Sequence, residues 1–211
     1  MTAPVITITR QYAAGGSAVA RDVAETLGWT VIDNQFVDEV ARRAGLAPAT
    51  VAAREERAPG LLERLARTLA VSSPELFIAS EAVPRAEPDE ATIVKLTERV
   101  IAEAAAHGHA VLVGRGAQAL LAQRPEALHV YVVAPRAWRI QLAVERLDVD
   151  PADAGRVLDD TDRQRDHYVR SHYGRQRQEV VNYDLIVNTG KLGVAGAAAL
   201  VVAEAQRRGW R

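Results

Sequence analysis

Short apolar runs separated by helical patterns constrain this chain more than any other feature. Val5–Thr9, Thr30–Ile32, Ala110–Val113, His129–Val133 and Leu185–Val187 are rich in β-branched residues. None alternates strictly between polar and apolar, so each reads as a strand covered on both faces. Val19, Val23 and Leu27 recur at four-residue spacing after the first run. Ile93, Leu96, Val100 and Ala104 do so before the third, and Ile140, Val144 and Leu147 after the fourth. Val194 to Arg208 is an alanine-rich helix with charges only near its end. Strands alternating with helices build a parallel sheet through right-handed crossovers. The expected class is α/β, a three-layer parallel sheet of about five strands.

Two segments break the alternation. Leu46 to Asp89 holds Pro48, Pro59, Pro74, Pro84 and Pro88, with a helical stretch at Leu61–Val71 and loops at Ser72–Pro74 and Val83–Asp89. Asp150 to Asn182 is dense in charge. Both read as excursions from one domain spanning residues 1–211, a length that suits a single core carrying a mobile part. The formal net charge of −1 gives no reason to expect nucleic acid or an anionic membrane as partner. No apolar run approaches the roughly 20 residues that span a bilayer, and the N-terminus has no basic region followed by a long apolar stretch. A cytoplasmic protein is therefore expected. The chain has no cysteine, which excludes disulfides and thiolate chemistry. His107, His109, His129, His167 and His172 lack metal-ligand spacing, and Trp138 and Trp210 read as packing residues.

The turn after the first strand carries the chemistry. Its eight positions, Arg10 to Ser17, read RQYAAGGS. A P-loop, G-x-x-x-x-G-K-[ST], wraps phosphate in backbone N–H groups at a helix N-terminus. Gly15 and Ser17 match that pattern; Arg10 replaces the first glycine and Gly16 the lysine. Small residues from Ala13 to Ala18 leave the backbone donors open to an anion, Ser17 is placed to touch magnesium, and Arg10 offers a cation. A glycine-softened βα turn accounts for the motif alone equally well. The rest of the chain adds weight to the phosphate reading. Asp33 follows the second strand, Arg115 follows the third between two glycines, and Asn188 and Thr189 end the fifth. All fall at the carboxyl edge, where open parallel sheets bind ligands. The charged segment holds Asp159, Asp162, Arg163 and Arg165; taken alone it reads as a solvated helix laced by i,i+4 pairs. Tyr12, inside the loop, is placed to cover a base or sugar.

ITITRQYAAGGSAVARDVAETLG, VIDNQ, VLVGRGA, the D-x-x-R-x-x-Y of Asp162, Arg165 and Tyr168, and YDLIVNTG together resemble the cytidylate kinase-like proteins. These are relatives of bacterial cytidylate kinase among the P-loop nucleoside monophosphate kinases. The resemblance runs from about residue 5 to the C-terminus and is weakest over Leu46–Asp89. It implies a nucleotide-binding core with a monophosphate-binding helical insertion at about 34–90 and a lid at about 150–182. It implies transfer of the ATP γ-phosphate to a nucleoside monophosphate, CMP or dCMP, with Mg²⁺. Ala14, Gly15, Gly16, Ser17 and Ala18 would then hold the donor phosphates, Ser17 also meeting the metal through them. Asp33, Arg115 and Asp162 would face the acceptor, and Asn188 and Thr189 the donor base. Arg10, Arg163 and Arg165 would neutralise the transferring group. The chain departs from bacterial cytidylate kinases at Gly16 (lysine there), Gly116 (aspartate) and Leu158 (arginine). A nucleotide-binding regulator without turnover, and a kinase of another small metabolite, share the same site.

Overall fold

The protein is described from a computed structural model covering residues 3–33, Phe36 and 90–210. The first excursion and the 34–90 insertion lie outside the described residues, apart from Phe36 and the start of one helix.

Every expected strand forms: β1 (Val5–Arg10), β2 (Thr30–Ile32), β3 (Ala110–Val113), β4 (Ala127–Val133) and β5 (Leu185–Asn188). They build one five-stranded sheet in the order β2-β3-β1-β4-β5, every neighbouring pair parallel. β1 sits at the centre because Val5, Ile6, Thr7 and Ile8 are all buried, so neither face of the strand meets water. The chain runs from β1 toward β2 and β3 on one side, then returns to β4 and β5 on the other. That reversal puts a crevice at the carboxyl end of β1, where open parallel sheets bind ligands.

The described helices are α1 (Gly16–Leu27), α2 (Glu90–His107), the short α3 (Ala117–Leu120), α4 (Arg136–Leu147), α5 (Ala154–Tyr173) and α6 (Thr189–Arg207); Val180–Asn182 forms a 3₁₀ turn. One core lies where α1 and α6 meet a face of the sheet, with Val19, Val23, Ala197 and Val201 against Ile6, Ile8 and Val130. The other lies under α2, with Leu96, Val100 and Ala104 against Val5 and Leu112. These are the two helical layers that the periodicity predicts. α6 is broken at Gly193 (φ 69°, ψ 170°), so its regular part begins at Val194, as the composition suggests. No described helix is long and apolar enough to cross a membrane.

Two helices depart from their apolar pattern. On α4 the buried residues are Arg139 and Ala143, whereas Leu147 is exposed. α5 splits its charges between two faces. Arg156 pairs with Asp153 and Asp160 in water, while Asp162 and Arg165 turn inward beside the buried Val169.

Candidate functional site

The site begins where β1 ends. Gly15 caps α1 in the left-handed conformation (φ 75°), which glycine adopts without steric cost. Gly16 is helical, so its value is of another kind. A Cβ there would lie 2.5 Å from Arg10 Cβ and 2.9 Å from Arg10 Cγ. The carbon stem of Arg10 thus occupies the space that a side chain at position 16 would need. Its guanidinium then crosses Gly114, where an added Cβ would collide with Arg10 Nη1. Arg10 therefore links the N-terminus of α1 to the end of β3. Burial lowers its pKa most, and the neighbouring Arg165 and Arg177 charges add to this, bringing it to about 10; Asp33 opposes them.

The first helical bonds of α1 come from the Ala18 and Val19 amides to Gly15 O, and Ala14 N donates to Gln11 O at 3.3 Å. Ala14 and Ala18 therefore spend their N–H groups inside the protein, and the amides of Gly16 and Ser17 are the ones the first turn of the helix leaves over. The Ser17 side chain is exposed on that turn.

Beside Arg10 lies a cavity of about 380 Å³. Its floor is the carboxyl end of β1 and β3 (Thr9, Arg10, Gly114–Gly116), and α5 covers it with Thr161, Gln164, Arg165, Tyr168 and Val169. Arg115 is held at φ 52° between Gly114 (φ 73°) and Gly116 (φ 72°), a left-handed run that only glycine neighbours make cheap. Gly116 is needed for a second reason: a Cβ there would run into the Tyr173 ring. The lining carries Arg10, Arg115, Arg165 and Arg177, and among described residues no carboxylate. Such a cavity suits an anion.

Hydrogen bonds tie the roof to the loop. Tyr12 N donates to Asp162 Oδ1 at 2.9 Å, and Arg139 Nη1 donates to Asp162 Oδ2 at 2.6 Å and to Tyr12 O at 3.3 Å. Arg165 Nη1 (3.2 Å) and Arg177 Nη1 (2.9 Å) both donate to Arg10 O. Arg177 also gives its Nε to Asp166 Oδ1 at 2.6 Å. From the other side, Thr189 Oγ1 donates to Ala14 O at 2.7 Å.

The expected residues thus meet unevenly. Arg10, Arg115 and Arg165 converge on the cavity, next to the glycine loop. Asp162 turns both oxygens to the loop and α4 and lies outside the cavity lining. Arg163 pairs with Asp160 on the outer face of α5, about three-quarters exposed, and does not reach the cavity. Asp33 accepts from Phe36 N at 3.0 Å. Thr189 is buried and its hydroxyl holds the loop, and the Oδ1 of its neighbour Asn188 is buried without a hydrogen-bond partner. Leu158 is fully buried in the core. Sequence reasoning missed Arg139 and Arg177. Both are under 10% exposed, at 7% and 5%, and only the tertiary pairing with Asp162 and Asp166 makes such burial affordable. Among described residues no group of three or more His, Asp or Glu is placed to hold a metal by itself.

This parallel sheet, with a glycine loop feeding α1 and an arginine-lined cavity at its carboxyl edge, defines a P-loop NTPase fold of the kind found in small kinases. The chain belongs to the cytidylate kinase-like family, whose pattern matches residues 5–191. Solved structures of the same fold include an uncharacterized protein from Eubacterium ventriosum, 18% identical over 96% of this chain and 98% of that one, with a TM-score of 0.66. Shikimate kinase from Acinetobacter baumannii, solved with shikimate, is 19% identical over 100% and 97%, with a TM-score of 0.53. Shikimate kinase from Bacteroides thetaiotaomicron is 13% identical over 97% of each chain, with a TM-score of 0.51. No curated protein matches the chain.

Proposed function

We propose that the protein is a phosphotransferase that moves the γ-phosphoryl group of ATP to a nucleoside monophosphate, CMP or dCMP. The observation that supports this most directly is the course of Arg10, whose stem fills the place of the absent lysine and whose guanidinium reaches the cavity beside Gly114. An acceptor phosphate oxygen would attack the γ-phosphorus while the bond to the β–γ bridging oxygen breaks, and ADP would leave. The acceptor is already an anion, so no general base is required. Positioning and neutralisation of charge carry most of such a reaction. In this reading the amides of Gly16 and Ser17 hold the donor phosphates at the positive end of α1. Arg10 and Arg165 neutralise the transferring group, and Arg115, with Asp33, faces the acceptor. Asp162 is reassigned from the acceptor to the anchoring of the loop. The Ser17 hydroxyl, on the exposed first turn, would help hold a magnesium ion bound mainly to the phosphates, and that ion would supply charge neutralisation.

A thermal-shift panel tests the proposal: the four nucleoside monophosphates and four triphosphates, each with and without Mg²⁺, followed by an assay of diphosphate formation on every pair that binds. Ligands that bind the folded state raise its melting temperature by mass action. A shift with ATP, a larger shift with CMP or dCMP than with other monophosphates, and formation of both diphosphates are expected. The substitution of Gly16 for lysine favours a second reading, a nucleotide-binding regulator. Binding of both ligands without any transfer is the result that would select it.

A further inference from the structure

We propose that Arg177 is a positioning residue for Arg10, holding the Arg10 carbonyl so that the Arg10 side chain lies across Gly16 and Gly114. The inference rests on the reading of Arg10 as the cation of the phosphate site. Arg177 lies beyond the end of α5, past Gly174, in a stretch that no sequence motif singles out. Its side chain is 5% exposed, with Nε on Asp166 at 2.6 Å, Nη1 on Arg10 O at 2.9 Å and Nη2 on Asp162 O at 3.3 Å. Each nitrogen of the guanidinium therefore donates to a protein oxygen, which suits a strut better than a ligand hand. Its backbone is fixed as well, since Tyr183 Oη donates to Arg177 O at 2.5 Å. Burial opposes the charge of Arg177, but Tyr131 and the hydrogen bond to Asp166 outweigh it and raise its pKa.

The Arg10 carbonyl belongs to the peptide that joins β1 to the loop. With Arg165 and Arg177 both bonded to this oxygen, the peptide plane cannot rotate without breaking two charged hydrogen bonds. That plane, also tied by Gln11 N to Val132 O at 3.0 Å, fixes the backbone from which the Arg10 side chain departs toward Gly16 and Gly114. The two glycines leave the side chain room, and the carbonyl clamp gives it direction. Leu158, where the family resemblance expects an arginine, is fully buried and contributes no charge to the cavity.

The test measures binding of inorganic tripolyphosphate with Mg²⁺ by calorimetry. Arg177→Met is made together with Asp166→Asn, so that the half-buried Asp166 carboxylate does not lose its guanidinium partner. The pair should weaken binding about tenfold or more in the parent chain, the scale of a charged hydrogen bond. In an Arg10→Ala background the same pair should change affinity by less than about twofold, because the residue it positions is gone. The alkaline limb of binding gives a second check, on the proximity of the two charges. Arg165, Arg177, Asp33 and Arg115 all act on the charge of Arg10. Removing the Arg177 charge should shift the loss of affinity to higher pH. Equal weakening in both backgrounds, or no weakening in the parent, overturns the inference while leaving the phosphate reading in place. Failure of the parent chain to bind any triphosphate removes that reading, and this inference with it.

Discussion

Arg10 and Gly16 form one unit. Gly16→Lys restores the lysine of an ordinary P-loop, yet its Cβ would sit 2.5 Å from Arg10 Cβ, far inside van der Waals contact. The clash arises from the Arg10 stem and not from the backbone, which is helical at Gly16. Gly16→Lys alone should therefore lower stability by about 1–3 kcal/mol, the usual cost of overpacking, and should gain no triphosphate affinity. Arg10→Gly with Gly16→Lys removes the obstruction and should recover both. Urea denaturation and calorimetry with MgATP check the two halves. A single Gly16→Lys variant as stable as the parent would show that Arg10 leaves its observed position freely.

The elements differ in how legible they are. All strands were readable, because covered strands need unbroken β-branched runs and nothing else in the chain supplies them. The glycine loop was readable as well, since strand, small residues and helix follow in order. α4 was not. Its apolar residues Ile140, Val144 and Leu147 suggest a buried stripe, but the helix instead buries Arg139, paired with Asp162 at 2.6 Å. Periodicity sees apolar side chains and cannot see a cation whose partner lies 23 residues away. α5 carries solvated ion pairs on its outer face and turns Asp162 and Arg165 inward. Arg165 lines the cavity, while Arg163, two residues away, lies on the outer face of α5. Gly116 carries the prediction at this scale. It is left-handed and lies against the Tyr173 ring, the last residue of α5. Gly116→Asp restores the aspartate that the resemblance expects, but should cost about 2 kcal/mol or more through overpacking and strain. Tyr173→Ala should reduce that cost in the double variant. Additive losses in chemical denaturation would mean that the ring does not set the limit.

Across the whole molecule, the sheet holds one buried polar pair on its central strands. Thr7 Oγ1 and His129 Nδ1 share a hydrogen bond at 2.7 Å, opposite one another in the β1–β4 register. Burial, the largest influence, lowers the pKa of His129 below its ordinary 6.5, partly offset by Asp184. The folded state thus prefers the neutral ring, and between the lowered value and 6.5 the unfolded chain binds more protons. Stability from this source is present above 6.5 and is lost as pH falls through that window. The urea midpoint of the parent should therefore drop between pH 7 and pH 5 by more than that of His129→Gln; parallel curves would assign the acid sensitivity elsewhere. The Arg10–Gly16 contact has a consequence of a different order, for descent. From this loop to the lysine-bearing one, a lineage must change both positions. Changing Arg10 to glycine first removes the cation and puts none in its place, whereas bringing in lysine at 16 first meets the Arg10 stem. With Arg10 read as the site's cation, either first step loses the charge or crowds the loop before the second repairs it, so the two positions are expected to change together.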